Sequence, residues 1–252
     1  MYLDPGELRE PPEGVNPAVW NGAQPFHHQV LAEVRGGGWT TGPLDARGVQ
    51  AADMSDGNPN GYYVISFDGN THRTRFQPAS LPADYQMRLT FRGGEGNAVL
   101  PDGDPVWVPS GPSGADGIDP APTFHVRDFS GAFGSPPQVE VNVFDGGRRH
   151  EVEVAYDSGP FVPMDYNPPR YGLTDGEPDR NLDPYLQVLG ELLPPSQRPA
   201  QPEPSSHLWR AALPRDLRPG VHTVTIRSTD PYGQVSEASQ DIEVVARRPA
   251  QP

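Results

Sequence analysis

Acidic side chains cluster among glycines and asparagines near the start of the chain, which makes divalent-cation binding the first chemistry to consider. Asp45, Asp53 and Asp56 lie between Gly42 and Gly61. Calcium takes about six to eight oxygen ligands, and carboxylates with backbone carbonyls could supply them here. The spacing matches no EF-hand, however, and Asp-Gly and Asn-Gly pairs commonly form turns. We therefore predict structural turns in this segment, with a calcium site as the alternative.

Several other site chemistries lack their motifs. The sequence contains no serine elbow with partner His and Asp, no glycine loop with a phosphate-binding lysine, and no basic-aromatic nucleic-acid motif. The string GGGW at residues 36–39 has the glycines but neither the lysine nor a strand-to-helix context. The absence of cysteine excludes disulfides, iron-sulfur clusters and thiolate zinc sites.

The tryptophans offer a second kind of site. Trp39, Trp107 and Trp209 could form an aromatic platform for a sugar or a lipid headgroup. Tryptophans that stand among glycines or within apolar strands more commonly pack in a core or between domains. We predict packing roles for them, and the platform is the alternative.

Two irregular blocks of sequence carry a family resemblance. The first, Gly36–Asn70, reads GGGWTTGPLDARGVQAADMSDGNPNGYYVISFDGN and contains a Gly-Trp run, a Gly-x-x-Asp-x-x-Gly step and DGNPNGY. The second, Ser205–Gln234, reads SSHLWRAALPRDLRPGVHTVTIRSTDPYGQ. Both resemble the C-terminal domain that follows the catalytic domain of calcineurin-like metallophosphoesterases. The blocks bracket most of the chain, although residues 95–205 match only loosely.

The resemblance implies a chemistry whose residues this chain lacks. Enzymes of this family hydrolyse phosphoesters with two metal ions roughly 4 Å apart, which lower the pKa of a bound water. The sequence has no Asp-x-His, no Asn-His-Asp/Glu and no Gly-His-x-His, and its one Gly-Asp pair, Gly103-Asp104, lies in a Pro/Gly loop. We predict no metal and no cofactor in this chain, and no phosphoester hydrolysis by it alone. The parent enzyme would use two divalent metal ions.

The resemblance also suggests roles for residues that flank the first block. FHHQVLAEV, residues 26–34, alternates as a β-strand does and corresponds to the strand that leads from the last metal-binding loop into the Gly-Trp run. His27 and His28 are therefore candidates for contact with substrate or with groups around the metal ions. The alternative is that both are ordinary residues of this strand without a role at the active site.

The same correspondence gives a domain division. Residues 1–35 read as a loop and strand left from the catalytic domain, as a truncated gene model or an internal start codon would give. Residues 36–246 are expected to form the accessory domain. An internal domain boundary near residues 95–137 is the alternative. Residues 247–252, RRPAQP, are predicted to form a disordered tail.

Four residues of the first block are expected to pack against the catalytic phosphoesterase domain, which is the expected partner. They are Trp39, Asp45, Asp56 and Tyr62.

The composition limits the partners and the class of fold. Thirty-three Pro and 28 Gly in 252 residues favour many short strands joined by irregular loops. Every basic residue is Arg, and the net charge of -14 disfavours nucleic acid and anionic membrane surfaces. No apolar run reaches the roughly 20 residues of a membrane helix, and the acidic N-terminus does not resemble a signal peptide. A signal for export of the parent would lie upstream, so the compartment stays open.

The first predicted strands form a hairpin followed by a longer strand. Residues 62–67 and 71–77 flank Asp68-Gly69, a dipeptide that suits a tight hairpin turn. Residues 85–91 alternate apolar and polar side chains, with Arg88 among the polar ones. That alternation predicts a strand buried on one side only.

A second set of strands completes a mainly β fold. We predict strands at 139–144, 151–156, 221–228 and 238–245, and one short helix that Asp183 caps and that carries Leu186, Leu189 and Leu193. The fold class is therefore a β-sandwich of immunoglobulin or fibronectin type, with long Pro/Gly-rich loops.

The functional prediction follows from the resemblance. The chain is expected to be the non-catalytic C-terminal region of a calcineurin-like metallophosphoesterase that packs beside the active site and shapes substrate access. The alternative is a self-standing binding module for carbohydrate or cell-envelope ligands, which would need exposed tryptophans.

Overall fold

The computed structural model describes residues 48, 53–69, 71–79, 81–109, 120–130, 136–167, 181–192, 196 and 202–246. Strands dominate this part of the chain, as the sequence predicted. In chain order they are β1 (Gly61–Asp68), β2 (Thr71–Pro78), β3 (Met87–Arg92), β4 (Ala98–Val99), β5 (Pro105–Trp107), β6 (Thr123–His125), β7 (Gln138–Val143), β8 (Glu151–Tyr156), β9 (Val162–Pro163), β10 (Asp165–Tyr166), β11 (Leu208–Ala212), β12 (Gly220–Thr229) and β13 (Val235–Val245). The α-helix α1 (Pro184–Leu192) lies between β10 and β11.

The hairpin β1–β2 confirms its prediction from sequence. The two strands pair antiparallel from Gly61↔Pro78 to Asp68↔Thr71. Gly69 has a φ of 58°, the left-handed value that a tight turn requires and that glycine adopts without a Cβ clash.

The other strands form two sheets that share one core. The six-stranded sheet has the order β10-β11-β7-β3-β5-β4, and the five-stranded sheet has the order β6-β13-β12-β8-β9. One cluster of buried apolar side chains joins them, with Leu89 and Val141 from the first sheet and Val154, Ile226 and Ile242 from the second. The two sheets are therefore held together by the alternating apolar residues of both.

The polar face of the six-stranded sheet differs from its prediction. Arg88 and Thr90 of β3 and Glu140 and Asn142 of β7 are all buried, although they point away from the apolar core. The segment around Asp53 and the helix α1 contact this face through side chains. The two central strands β3 and β7 are thus buried on both faces, because residues distant in sequence cover the side that alternation alone assigns to solvent.

The helix α1 begins as its cap predicted. The Asp183 Oδ1 accepts a hydrogen bond from the Leu186 N–H at 2.9 Å, which satisfies one of the free donors at the helix start. Tyr185, Val188 and Leu189 form a second apolar cluster with side chains from the β4–β5 region. That cluster fixes the helix at the edge of the six-stranded sheet.

The residues around the suggested boundary contribute strands to both sheets. β5 pairs with β3, and β6 pairs in parallel with β13. Within the described residues, no helix is long and apolar enough to cross a membrane.

Candidate functional site

The loop that precedes the hairpin, residues 53–60 (the signature loop), is folded back on itself. Asp53 forms an isolated bridge with Pro59, and the Met54 N–H donates to the Asn58 carbonyl at 2.7 Å. The Asn58 N–H donates to the Asp56 Oδ1 at 3.1 Å. Gly57 has a φ of 88°, and a Cβ there would lie 2.5 Å from the Asp183 Cγ. Glycine is therefore required at position 57 both for its backbone angle and for space.

A buried arginine fixes the first half of the signature loop. The Arg88 guanidinium donates to the Asp53 Oδ1 and to the Gly57 carbonyl, each at 3.0 Å, and lies 3.8 Å from the centre of the Tyr185 ring. Arg88 is only 1% exposed. Burial raises the pKa of Asp53, whereas Arg88 acts to lower it. Burial also disfavours the charge on Arg88, but Asp53 outweighs this and raises the pKa of the guanidinium, so Arg88 stays protonated.

A buried histidine fixes the second half of the loop. The His207 Nδ1 lies 2.5 Å from the Gly146 carbonyl, which can only accept, and the Nε2 lies 3.4 Å from the Asp56 Oδ2. Burial alone would lower the pKa of His207, but the contacts with Asp56 and Gly146 raise it. Burial would likewise raise the pKa of Asp56, yet His207 holds it below the usual value. Both shifts favour an imidazolium–carboxylate pair.

Asp183 joins the helix to the same network. Its Oδ2 accepts from the Asn142 Nδ2 at 2.6 Å, and that amide also donates to the Asp56 carbonyl at 3.3 Å. Burial raises the pKa of Asp183, against the opposing effect of Arg88. The signature loop, β3, β7, α1 and the start of β11 therefore meet through one set of buried polar contacts.

A second buried ion pair lies beside this network on the same sheet face. The Arg210 Nε donates to the Glu140 Oε2, and Glu140 is fully buried. Burial raises the pKa of Glu140, while Arg210 and Arg92 act to lower it.

A small cavity of about 110 Å³ lies between the hairpin, the end of β7 and the turn that joins β12 to β13. Its lining includes Arg75, Asp145, His150 and Asp230. The His150 Nδ1 accepts from the Gly147 N–H at 3.1 Å. Burial lowers the pKa of His150 to about 4, so this ring is neutral at pH 7.

Each carboxylate of the signature loop is paired with a basic side chain of the protein itself. Asp53 faces a guanidinium and Asp56 faces an imidazolium, so a cation would have to displace a positive charge from each of them. Among the described residues, no group of three or more His, Cys, Asp or Glu could hold a metal ion. Turn formation, the first of the two sequence predictions, agrees with the folded-back hydrogen bonds of the loop.

Two of the six site residues predicted from sequence lie within the described part of the chain. Asp56 is buried against His207, and Tyr62 is 50% exposed at the start of β1. His27, His28, Trp39 and Asp45 lie outside the described residues.

Sequence reasoning missed Arg88, His207 and Asn142 as members of the site. The available signals were a charged residue inside the apolar strand MRLTF and a histidine just before β11 in the second block. The Asp56–His207 contact joins the two blocks that carry the family resemblance. The Ser55 hydroxyl, also in the signature loop, donates to the Glu203 Oε2 at 3.2 Å, two residues before the second block.

Two of the three tryptophans considered for a platform are buried. Trp107 is 4% exposed and its Nε1 donates to the Pro120 carbonyl at 2.9 Å, and Trp209 is 2% exposed. Neither can form part of an exposed platform, and Trp39 lies outside the described residues.

The comparison with protein families agrees with the two joined blocks. The family model described as the C terminal of calcineurin-like phosphoesterase matches residues 34–235. The mainly β domain described above is thus a C-terminal domain of a phosphoesterase family. The chain belongs to the family of C-terminal domains of calcineurin-like phosphoesterases. A search of curated proteins gives no match to the chain.

Proposed function

We propose that this chain is the non-catalytic accessory region of a calcineurin-like phosphoesterase, where it packs beside the active site and shapes substrate access. The observation that carries the proposal is the internal pairing of the signature loop. Asp53 and Asp56 are the side chains of that loop best suited to metal or proton chemistry, and Arg88 and His207 engage them in the interior. Such buried pairs orient a loop and leave its carboxylates inaccessible to a substrate.

We infer further that the fold is an immunoglobulin-like sandwich. The order β10-β11-β7-β3 corresponds to strands D, E, B and A of such domains, and β8-β12-β13 corresponds to C, F and G. The parallel pairing of β6 with β13 is an additional edge contact. This correspondence supports the proposal, since sandwich domains commonly serve as rigid supports for loops at their ends.

The remaining site assignments belong to the same proposal. Trp39 and Asp45, together with Tyr62, would pack against the catalytic domain, and His27 or His28 would face its cleft. Residues 1–35 would be the end of that catalytic domain, and residues 36–246 the accessory domain. The two divalent metal ions would be held by the catalytic domain, the partner that membership of this family implies.

Activity measurements test the proposal in two steps. The purified chain should show no manganese-dependent hydrolysis of an aryl phosphate, and turnover that follows the protein through purification would contradict the proposal. In the parent polypeptide with its catalytic domain, Trp39→Ala or Tyr62→Ala should lower kcat/KM. Val221→Ala is the control, because Val221 is exposed on β12, well outside the signature loop. Unchanged kcat/KM on every substrate, with unchanged thermal stability, would refute the packing role.

A further inference from the structure

The hairpin β1–β2 carries an unusual share of exposed apolar surface. Nine large apolar side chains are exposed in the described part of the chain, and Tyr62, Val64, Ile65 and Phe67 on β1 are four of them. Phe67 is 77% exposed. By strand alternation Tyr62 and Val64 lie on one face of the hairpin, and Ile65 and Phe67 lie on the other. Exposed apolar side chains that cluster on one face of an element are candidates for an interaction site.

The two faces of the hairpin have different surroundings. One face packs on the sandwich, because Thr74 and Phe76 are buried and the Phe76 ring lies 6.4 Å from that of Phe144. The opposite face, which we call the outer hairpin face, consists by strand alternation of Tyr62, Val64, Ser66 and Asp68 of β1 and Thr71, Arg73, Arg75 and Gln77 of β2. The Tyr62 and Val64 side chains on it are about half exposed, at 50% and 49%.

The charge on the outer hairpin face contrasts with that of the whole protein. Arg73 and Arg75 flank the apolar pair, and the one carboxylate, Asp68, lies at the turn. The whole chain has a net charge of -14. A surface with arginines around an apolar centre is complementary to a partner surface in which carboxylates surround an apolar patch.

The hairpin is held in a fixed orientation by its inner side. The Tyr63 hydroxyl donates to the Asp145 Oδ1 at 2.9 Å, and the Gln234 Nε2 donates to the Thr74 carbonyl at 3.1 Å. The signature loop, fixed by Arg88 and His207, leads directly into β1 at Gly61. A surface that is already ordered loses less conformational entropy when a partner binds.

The direction of the chain indicates which partner covers this face. The matched family is a C-terminal domain and its match begins at residue 34, so the catalytic domain lies on the N-terminal side of residue 34. The chain that arrives from there is fixed by Asp53 beside Pro59, at the base of the hairpin. A second copy of this chain is less suitable, because two bodies of charge -14 repel each other.

We propose that the outer hairpin face docks on the catalytic domain of the parent enzyme, against an apolar patch edged by carboxylates. This inference rests on the proposed function and specifies its contact surface. Tyr62 and Val64 fill the centre of the contact, and Arg73 pairs with a carboxylate at its edge. Arg75 lies beside them but donates to the Ala83 carbonyl of its own domain at 2.9 Å.

Thiol labelling measures whether the face is covered. The chain contains no cysteine, so Val64→Cys and the control Val221→Cys each introduce a single site. In the isolated chain both thiols should react with a maleimide at similar rates. In the parent polypeptide the thiol at position 64 should react at least about tenfold more slowly, while the thiol at 221 is unchanged, because core positions of an interface exclude water. Equal rates at the two positions would overturn the inference.

Binding between the separately produced catalytic domain and this chain gives an independent readout. Arg73→Glu should raise the Kd by roughly tenfold or more, since like charges would then meet at the rim. Arg215→Glu is the matched control, because Arg215 is exposed on the turn before β12. Both variants must keep the melting temperature of the unmodified chain.

The outcomes separate this inference from the proposed function. Binding that neither Arg73→Glu nor Val64→Cys weakens would overturn the hairpin contact and leave the accessory role intact. Absence of any association, in the fused or the separate form, would refute both. Slow labelling of position 64 in the isolated chain would also overturn the inference, because something other than the catalytic domain would then cover the face. A labelling rate that is independent of protein concentration would show that the chain itself covers it. A rate that falls with protein concentration would show that a second copy covers it.

Discussion

Arg88 is charged and lies on the side of β3 that the alternating sequence assigns to solvent. It is nevertheless buried. Its guanidinium holds Asp53 and the Gly57 carbonyl and lies against Tyr185, all out of contact with water. Polar groups in the interior are costly unless they are paired. The pairing therefore makes the signature loop part of the folded core.

We expect Arg88→Met to lower the free energy of unfolding by roughly 3–5 kcal/mol, because it leaves the buried Asp53 carboxylate without a counter-ion. Arg227→Met is the control. The Arg227 and Glu237 side chains are paired at 2.7 Å on β12 and β13 but are 37% and 47% exposed, and exposed pairs contribute about 0–1 kcal/mol. Urea denaturation at pH 7 measures both. Equal losses for the two variants would show that the Arg88 pair does not stabilise the loop.

Gly57 is the second residue on which the loop depends. Gly57→Ala would place a Cβ 2.5 Å from the Asp183 Cγ at a φ of 88°. Gly69→Ala is the control, since its φ is 58° but nothing lies within 4 Å. The backbone term alone costs about 1–2 kcal/mol, so Gly57→Ala should lose clearly more stability than Gly69→Ala in the same urea experiment. A smaller loss at position 57 would contradict the close contact with Asp183.

His150 should set part of the acid sensitivity of the domain. Burial lowers the pKa of His150 to about 4 from an ordinary value of 6.5, with the nearby Asp230 opposing and His207 and Arg149 adding to the decrease. Between these pH values the unfolded chain binds a proton that the folded protein does not, so stability falls as the pH falls from 6.5 towards 4. The difference corresponds to about 3 kcal/mol.

The variant His150→Asn tests this acid sensitivity. Asparagine keeps an acceptor for the Gly147 N–H but does not titrate, so the unfolding free energy of the variant should depend less on pH between 6.5 and 4. Urea denaturation at several pH values gives the two curves. Parallel curves for the variant and the unmodified chain would show that His150 is protonated equally in both states.

Among the elements, the helix α1 is held both by a cap that local sequence predicts and by a contact with a distant strand. Asp183 caps the helix, as its position before Pro184 predicted, and it also binds Asn142 of β7. Local sequence could reveal only the first role. The second depends on a strand more than 40 residues earlier in the chain.

We expect Asp183→Ala to destabilise the protein more than loss of a helix cap does. Loss of the cap costs about 1 kcal/mol, and the buried Asn142 amide left without its acceptor adds about 1–3 kcal/mol. Asp183→Asn is the control, since it keeps an acceptor for the Leu186 N–H. An Asn142 amide that turned towards it would give up its bond to the Asp56 carbonyl, so we expect a loss smaller than that of Asp183→Ala but not zero. Thermal unfolding ranks the variants, and equal melting temperatures for the two would contradict the second role of Asp183.

The β-strands show where alternation in the sequence is sufficient. The hairpin turn at Asp68-Gly69, the strand β8 and the apolar side of β3 are as predicted, because each is specified by neighbours in sequence. The polar side of β3 was misread, because alternation cannot distinguish a face in water from one covered by buried ion pairs. Arg88 and Thr90 belong to the second kind.

For the molecule as a whole, the pairing of the signature carboxylates predicts that metal ions do not change the stability of the isolated chain. Addition of millimolar calcium or manganese, or removal of metals with EDTA, should leave the melting temperature of the isolated chain unchanged. A ligand that binds the folded state at a hundred times its Kd stabilises it by about 2.7 kcal/mol, which a thermal scan would detect. A clear increase in melting temperature with calcium would restore the calcium alternative for the Asp-rich loop.

The family, the mainly β class, the hairpin and the capped helix could all be predicted from the sequence, because each depends on an ordered run of residues or on neighbours a few positions apart. The contacts of the signature residues within the domain could not be predicted in this way and are seen in the folded structure alone. Asp53 reaches Arg88 and Asp56 reaches His207 across long separations in the chain. Whether a charged side chain is exposed or paired in the interior depends on which distant groups the fold brings to it, since burial is favourable only when those partners are present.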